Sequence, residues 1–255
     1  MAMQENSRSN FSAPGSTVDP GEVAKFSRLS DEWWDPNGKM APLHKINPLR
    51  LSYIRDAACR NFKRNIKSLN CLSGLRILDI GCGAGLLCEP LTRLGAQVIG
   101  IDPSASNIAA ARLHADKGHL SIDYRCTSVE QMDVRERFDI VLAMEVIEHV
   151  TDVGTFLNRC AAMLKPGGLM LVSTINRTWK SFALAIVGAE YILRWLPRGT
   201  HQWDKFVTPD ELAHHLANNK LAITEQAGVI YHPFADRWSL SSDMDVNYMV
   251  VAGGV

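Results

Sequence analysis

A short apolar run that ends in alternating glycines constrains this chain more than any other part of its sequence. The run is Ile77-Leu78-Asp79-Ile80-Gly81-Cys82-Gly83-Ala84-Gly85, and helix-favouring residues follow it at once. Alternate glycines permit the backbone angles of a tight strand-to-helix turn, and they remove side chains that would keep a ligand away from the main chain. The run therefore predicts an α/β fold with a nucleoside cofactor at this loop.

Strands and helices alternate over the middle of the chain. The expected strands are Arg76–Ile80, Val98–Asp102, Ile122–Arg125, Phe138–Met144 and Leu169–Ile175, and the expected helices are Gly85–Leu94, Ser104–Ala115 and Val153–Leu164. Such alternation is typical of a doubly wound parallel sheet with helices on both faces. A capping box at Thr208–Glu211 predicts one more helix, and Leu221–Gly228 and Asn247–Ala252 can supply two final strands.

Three segments lie outside this alternation. Residues 1–20 are rich in Ser, Asn, Gly and Pro and are expected to form a disordered tail before a single domain over residues 21–255. Residues 21–70 are expected to hold N-terminal helices, one over Glu22–Trp34 and one that begins with Asn47 as its N-cap. Residues 176–206 form an insertion with an apolar helical stripe, which predicts a lid.

Composition excludes several classes of partner. The chain has 27 Lys and Arg against 27 Asp and Glu, so no overall field draws it to nucleic acid. No apolar run reaches the ~18 residues that a membrane-spanning helix needs. The six cysteines form no C-x-x-C pair, which favours reduced thiols in a cytosolic protein.

The residues around the glycine loop distinguish between cofactors. A nicotinamide-binding loop would place glycine where this chain has Leu86, whereas the carboxylate of Asp79 suits the positive charges of S-adenosylmethionine (SAM). Asp102 ends the second expected strand, where a carboxylate can accept hydrogen bonds from ribose hydroxyls. The alternative role of Asp102 is to cap the following helix.

A third group of polar residues follows the fourth expected strand. In a helical turn, Glu145 would face the same way as Glu148 and His149. Two carboxylates and an imidazole are plausible ligands for Mg2+. The alternative is a helix N-terminus with acidic residues and a histidine that acts as general base.

The motifs together resemble those of the ubiquinone-biosynthesis O-methyltransferase family, over roughly residues 22–252. The motifs that carry the resemblance are Trp33-Trp34, the runs Pro42–Arg50, Asp79–Gly85 and Glu145–Val150, and the blocks Val187–Ile192, Gly199–His201 and Asp245–Met249. Two positions depart from the family pattern: Ala84 stands where glycine is common, and Gln202 stands where aspartate is expected. The loop alone would indicate only a class I SAM-dependent methyltransferase.

The resemblance implies a Rossmann-like class I fold, with a seven-stranded sheet whose last strand is antiparallel. It implies SAM contacts from Arg50, Gly81, Asp102 and Met144, and a Mg2+ site that some members form with residues matching Glu145, Glu148 and His149. We add Gly83 and Val129 to the expected cofactor set. His149 and Glu145 are the expected catalytic pair, because they lie at the end of the fourth strand, and His149 would take the proton directly or help to hold Mg2+.

The implied reaction is methylation of two phenolic acceptors, 2-polyprenyl-6-hydroxyphenol and 3-demethylubiquinol. A SAM-dependent methyltransferase of another small phenol or catechol is the alternative, and a SAM-binding regulator without activity ranks below both. Because a polyprenyl acceptor resides in the membrane, residues 176–206 are expected to dock reversibly on its surface. We expect a location at the cytoplasmic face of the bacterial inner membrane, association with other ubiquinone-biosynthesis enzymes, and no nucleic-acid partner.

Overall fold

The structure is a computed structural model that describes residues 15–183 and 203–254. The helices in these residues are α1 (Pro20–Ser27), α2 (Ala41–Asn61), α3 (Cys88–Arg93), α4 (Ala105–Lys117), α5 (Val153–Ala162), α6 (Trp179–Ser181) and α7 (Pro209–Asn218). The strands are β1 (Arg76–Ile80), β2 (Gln97–Asp102), β3 (Asp123–Cys126), β4 (Phe138–Met144), β5 (Leu164–Ile175), β6 (Leu221–His232), β7 (Arg237–Ser241) and β8 (Asn247–Gly254). Short 3₁₀ helices occupy Ser30–Glu32, Val129–Gln131, Ile147–His149 and Trp203–Lys205.

One sheet joins all the described strands in the order β3-β2-β1-β4-β5-β8-β6-β7. Strands β1 to β5 run parallel to one another, and β8 runs antiparallel to both β5 and β6. The doubly wound fold with an antiparallel last strand is confirmed. The count of seven strands is corrected to eight in the described residues, because β6 continues past Gly228 to His232 and turns back into β7.

Alternate strand residues point to opposite faces of the sheet, and each face has its own helices. On one face Ile77 packs in a cluster with side chains of α2, α3 and α4. On the other face Leu78 packs in a cluster with side chains of α5 and α7. The apolar strands therefore form a core between two helical layers, as a parallel sheet requires.

The N-terminal helices differ from the expected ones. Asp19 caps α1, which ends at Ser27 rather than at Trp34. The second helix begins at Ala41, so Pro48 lies inside it, and it ends at Asn61 rather than near Leu69. Asn47 lies within this helix and therefore does not cap it. Its side-chain amide donates to Leu86 O at 2.7 Å.

The expected disordered tail ends earlier than residue 20. Thr17 is buried, and its carbonyl oxygen accepts a hydrogen bond from Thr151 N at 2.9 Å. Val18 forms an isolated antiparallel bridge with Val150. These contacts attach the chain before α1 to the loop after β4, while residues 1–14 lie outside the described part of the chain.

The insertion expected over residues 176–206 falls mostly outside the described residues, including its apolar stripe, the two family blocks and Gln202. Its first residues are held by the loop before β8: Asn176 N donates to Val246 O at 2.7 Å, and Thr178 Oγ1 donates to Asp245 O at 2.6 Å. Within the two described ranges, no helix has both the length and the apolar character needed to span a membrane.

Candidate active site

The parallel strands end at a common edge, which carries the glycine loop. Gly81, Gly83 and Gly85 all have positive φ angles, of 68°, 54° and 86°. The same glycines permit close packing: a Cβ on Gly83 would lie 2.7 Å from Trp33 Cζ2, and one on Gly85 would lie 2.9 Å from Tyr124 Cζ. The loop therefore needs glycine both for its backbone conformation and for its neighbours.

Two buried carboxylates flank this loop. Asp79 accepts a hydrogen bond from Cys88 Sγ at 3.1 Å, and burial raises the pKa of Asp79 to about 7. Asp102 accepts from Gly83 N at 3.0 Å and from Ser104 N at 2.8 Å, and burial raises its pKa to about 6. Burial disfavours the charged form of each acid, whereas a cationic ligand at this edge would favour it, so the binding of such a ligand and the ionisation of these acids would support each other.

The alternative role of Asp102, as the cap of the following helix, is filled by Ser104 instead. Ser104 is the N-cap of α4, and its hydroxyl accepts from Asn107 N at 3.2 Å. Asp102 supports that turn through Ser104 N, and it also bonds the glycine loop. Its carboxylate therefore lies where β2, α4 and the loop meet.

A cavity of about 850 Å³ opens at the same edge of the sheet. All the candidate residues line it: Arg50, Gly81, Gly83, Asp102, Val129, Met144, Glu145, Glu148 and His149. Its volume is within the range of small-molecule sites. The structure thus brings together the residues that sequence placed in one site, although whether each contacts a ligand stays a prediction.

Buried Arg50 and half-buried Glu145 form an ion pair between α2 and the end of β4. Their Nη2 and Oε1 atoms are 3.0 Å apart, and Ser173 Oγ donates to the same carboxylate oxygen at 2.8 Å. The buried Nε atom of Arg50 has no hydrogen-bond partner among the described residues. A buried donor without a partner is costly, so it is suited to a ligand carboxylate such as that of SAM.

Glu148 is buried beside this pair. Thr174 Oγ1 donates to its Oε2 atom at 2.8 Å, while Oε1 has no hydrogen-bond partner in the part of the chain that the structure describes. Burial, and then the charge of Glu145, raise the pKa of Glu148 to about 8. The side chain is therefore a largely protonated acid at neutral pH in the ligand-free protein.

His149 is held by the N-terminal helix. Its Nδ1 atom lies 2.9 Å from Glu22 Oε2, and its ring meets that of Phe26 edge to face at 5.1 Å. A carboxylate that accepts from Nδ1–H orients the imidazole and favours the tautomer in which Nε2 is the basic nitrogen. Sequence reasoning missed Glu22, since no local pattern links α1 to the loop after β4.

The expected metal centre is not assembled by the described residues. Glu145 has a positive φ of 59° and lies before the 3₁₀ helix Ile147–His149, so the assumed helical turn does not exist. Glu145, Glu148 and His149 instead bond to Arg50, Thr174 and Glu22, respectively. No group of three His, Cys, Asp or Glu side chains within the described ranges has the arrangement of a metal site. The donor set does not fit Mg2+ as it stands.

The far side of the cavity is formed by elements that sequence reasoning did not assign to the site. Tyr231 of β6 and Trp238 of β7 both line it, with ring centroids 5.1 Å apart. Val229 and Ile175 add aliphatic surface beside them. The cavity lining thus combines polar side chains near the glycine loop with apolar side chains of the β6–β7 hairpin.

Comparison with known proteins agrees with this fold. A family model described as a methyltransferase domain matches residues 50–226. A magnesium protoporphyrin IX methyltransferase from Synechocystis PCC 6803 has the same fold, with a TM-score of 0.65 and 16% identity over 91% of this chain and 95% of that one. A SAM-dependent methyltransferase from Clostridium acetobutylicum has a TM-score of 0.59 and 11% identity over 91% and 98% of the two chains.

Curated relatives are far more similar in sequence. The ubiquinone biosynthesis O-methyltransferase of Bradyrhizobium sp. (strain ORS 278) is 81% identical over 99% of this chain and 98% of the relative. The protein of the same name from Nitrobacter winogradskyi is 76% identical over the full length of both chains. The chain therefore belongs to the ubiquinone biosynthesis O-methyltransferase family, as its sequence motifs predicted.

Proposed function

We propose that this SAM-dependent O-methyltransferase methylates the phenolic hydroxyls of 2-polyprenyl-6-hydroxyphenol and 3-demethylubiquinol. Identity of 81% to a ubiquinone biosynthesis O-methyltransferase over nearly the whole chain carries the proposal. The cavity supports it, because the carboxylates and the Arg50 guanidinium that line it suit the cofactor and its apolar lining suits an acceptor with an isoprenoid tail.

The part of the cavity beside the glycine loop would hold SAM, which would supply a methyl group on a positively charged sulfur. The Arg50 guanidinium binds the cofactor carboxylate, and Asp102 accepts hydrogen bonds from the ribose hydroxyls. Asp79 adds negative charge near the sulfonium and amino groups. Gly81 and Gly83 let the main chain approach the ligand.

Methyl transfer is an in-line displacement. The phenolic oxygen forms a bond to the methyl carbon while the carbon–sulfur bond breaks and its electron pair stays on sulfur. A phenol with a pKa of about 10 is a weak nucleophile at neutral pH, so the reaction needs a proton acceptor. His149 takes this proton, and Glu22 stabilises the imidazolium through Nδ1.

A methyl-transfer assay with purified protein tests the acceptor. Methylation of a short-tailed demethylubiquinol should exceed that of unsubstituted catechol in kcat/KM, because only the former has a tail to bury against the apolar lining of the cavity. The His149→Gln variant, which retains a similar shape, serves as the matched control for background methylation. Equal kcat/KM for the two acceptors would favour a general catechol methyltransferase instead.

The second part of the proposal is that residues 176–206 contact the surface of the inner membrane, where the acceptor and other enzymes of ubiquinone biosynthesis reside. The segment combines apolar positions with Lys180, Arg194, Arg198 and Lys205, a composition suited to a lipid–water interface. The same residues can also cover the site, since a lid and a reversible docking element are compatible.

Flotation with liposomes of anionic bacterial lipids tests this contact. The double substitution Ile186→Asp and Leu193→Asp should abolish flotation. Leu69→Asp with Leu113→Asp is the matched control, because these leucines are 89% and 59% exposed outside the insertion. Equal flotation of the insertion variant and the wild type would exclude the membrane role.

A further inference from the structure

Two adjacent tryptophans after α1 contact the cofactor loop region in different ways. Trp33 is buried, and its Nε1 atom donates to Asn107 Oδ1 at 3.1 Å. Trp34 Nε1 donates to Ala84 O at 3.1 Å, and its ring stacks on His114 with centroids 3.4 Å apart. Of these two residues, Trp33 lines the cavity and Trp34 does not. Trp33 therefore contacts the cavity, whereas Trp34 only supports the loop from outside it.

Trp33 lies directly against the second glycine of the loop. A Cβ on Gly83 would be 2.7 Å from Cζ2 and 2.8 Å from Cζ3 of the indole. Any residue other than glycine at position 83 would therefore require the indole ring to move. Gly83 N donates to Asp102 Oδ2 at 3.0 Å. The indole thus packs on the residue that connects the loop to the carboxylate expected to bind the ribose.

A second connection runs from the indole to the same carboxylate. Asn107 accepts from Trp33 Nε1, and its own Nδ2 atom donates to Asp102 Oδ1 at 3.3 Å. One side-chain amide therefore separates the indole from the ribose-binding position. Arg50 is expected to bind the methionine carboxylate of SAM, and it lies elsewhere in the cavity, paired with Glu145 at the end of β4. Trp33 accordingly lies beside the adenosyl half of the cofactor site.

The helix before Trp33 also borders the cavity. None of the eight residues of α1 is buried, although Val23 and Phe26 line the cavity, as does Leu29 just after the helix. Apolar side chains in this position become buried when a ligand fills the space beside them. The segment from α1 to Trp33 therefore has a surface that a bound cofactor would complete.

We propose that Trp33 is a cofactor-contacting residue, whose indole forms the cavity wall beside the glycine loop against which the adenosyl group of SAM packs. The large, rigid ring supplies apolar contact area with little loss of side-chain freedom. The bond to Asn107 sets the orientation of the ring. The N-terminal segment is then part of the cofactor site and must be in place for tight binding.

Fluorescence titration with S-adenosylhomocysteine tests the contact in the full-length protein without any acceptor, so its outcome is separate from that of the acceptor proposal. An adenine ring in contact with an indole quenches its emission. The wild type should show quenching that saturates with S-adenosylhomocysteine, that also occurs with adenosine, and that is absent with L-methionine. Trp33→Phe should lose this quenching, whereas Trp34→Phe should keep it.

Affinity provides the second measurement. Trp33→Ala should weaken binding of S-adenosylhomocysteine by about tenfold in calorimetry, since the aromatic contact area is lost. If Trp33→Ala does not fold, the conservative Trp33→Phe still tests the contact through its quenching. Undiminished quenching in Trp33→Phe, or affinity in folded Trp33→Ala within twofold of the wild type, would overturn the proposal.

Discussion

Replacement of Gly83 by alanine tests whether the glycine loop and the N-terminal segment form one packed unit. Gly83 has a φ of +54°, a backbone conformation that costs an L-residue about 1–2 kcal/mol. The new methyl group would also meet the Trp33 ring, with Cζ2 at 2.7 Å and Cζ3 at 2.8 Å. Overpacking of this kind costs about 1–3 kcal/mol. The free energy of unfolding should therefore fall by about 2–5 kcal/mol.

Gly74→Ala is the matched control. Gly74 has a φ of +78°, but a Cβ there would meet nothing within 4 Å. This variant should lose only the backbone contribution, about 1–2 kcal/mol. The difference between the two variants isolates the contact with Trp33.

Urea unfolding followed by circular dichroism, without cofactor, gives both free energies. A double-mutant cycle with Trp33→Leu tests the cause, because a smaller side chain makes room for the added methyl group. The double variant should be more stable than the sum of the single effects predicts by about 1–2 kcal/mol. Equal losses for Gly83→Ala and Gly74→Ala, or strictly additive effects, would refute the argued contact.

Three further measurements address the rest of the site and fold. His149→Ala should lower kcat by about 10²–10⁴-fold while the affinity for S-adenosylhomocysteine, measured by calorimetry, stays within about twofold; loss of that affinity would make the residue structural. Burial raises the Glu148 pKa from 4.5 to about 8, so wild-type stability should fall between these pH values relative to Glu148→Gln, in urea titrations of ligand-free protein; a constant difference across pH would contradict the raised pKa. Thr208→Ala removes one half of the capping box of α7 and should cost about 1 kcal/mol of unfolding free energy, with no change in cofactor affinity; an unchanged urea midpoint would contradict the role of the cap.

Local patterns were sufficient to predict most of the fold. The strands β1, β2 and β4 appear close to their expected positions, since buried parallel strands are continuous apolar runs. The N-terminal helices were less well predicted. The expected N-cap at Asn47 would make Pro48 the first residue of the second helix. In the structure Pro42 fills one of the first two positions of α2, and Pro48 lies inside it. Proline at a helix start and proline within a helix are not distinguished by a short window of sequence.

The geometry at the end of β4 depended on a single backbone angle. A helical turn from Glu145 would have placed its side chain with those of Glu148 and His149. The left-handed conformation of Glu145 instead directs its carboxylate to Arg50 and Ser173. Sequence spacing assumes regular secondary structure, so it could name the residues but not the contacts among them.

The sequence by itself determined the α/β fold, the glycine loop, the two acids beside it and the family. These features are local, because strand periodicity, turn glycines and motif spacing act within a few residues along the chain. Only the tertiary structure decided that Glu22 meets His149, that Trp33 packs on Gly83 and that the β6–β7 hairpin lines the cavity. Such contacts join residues far apart in the chain, and they depend on how whole helices and strands pack against one another.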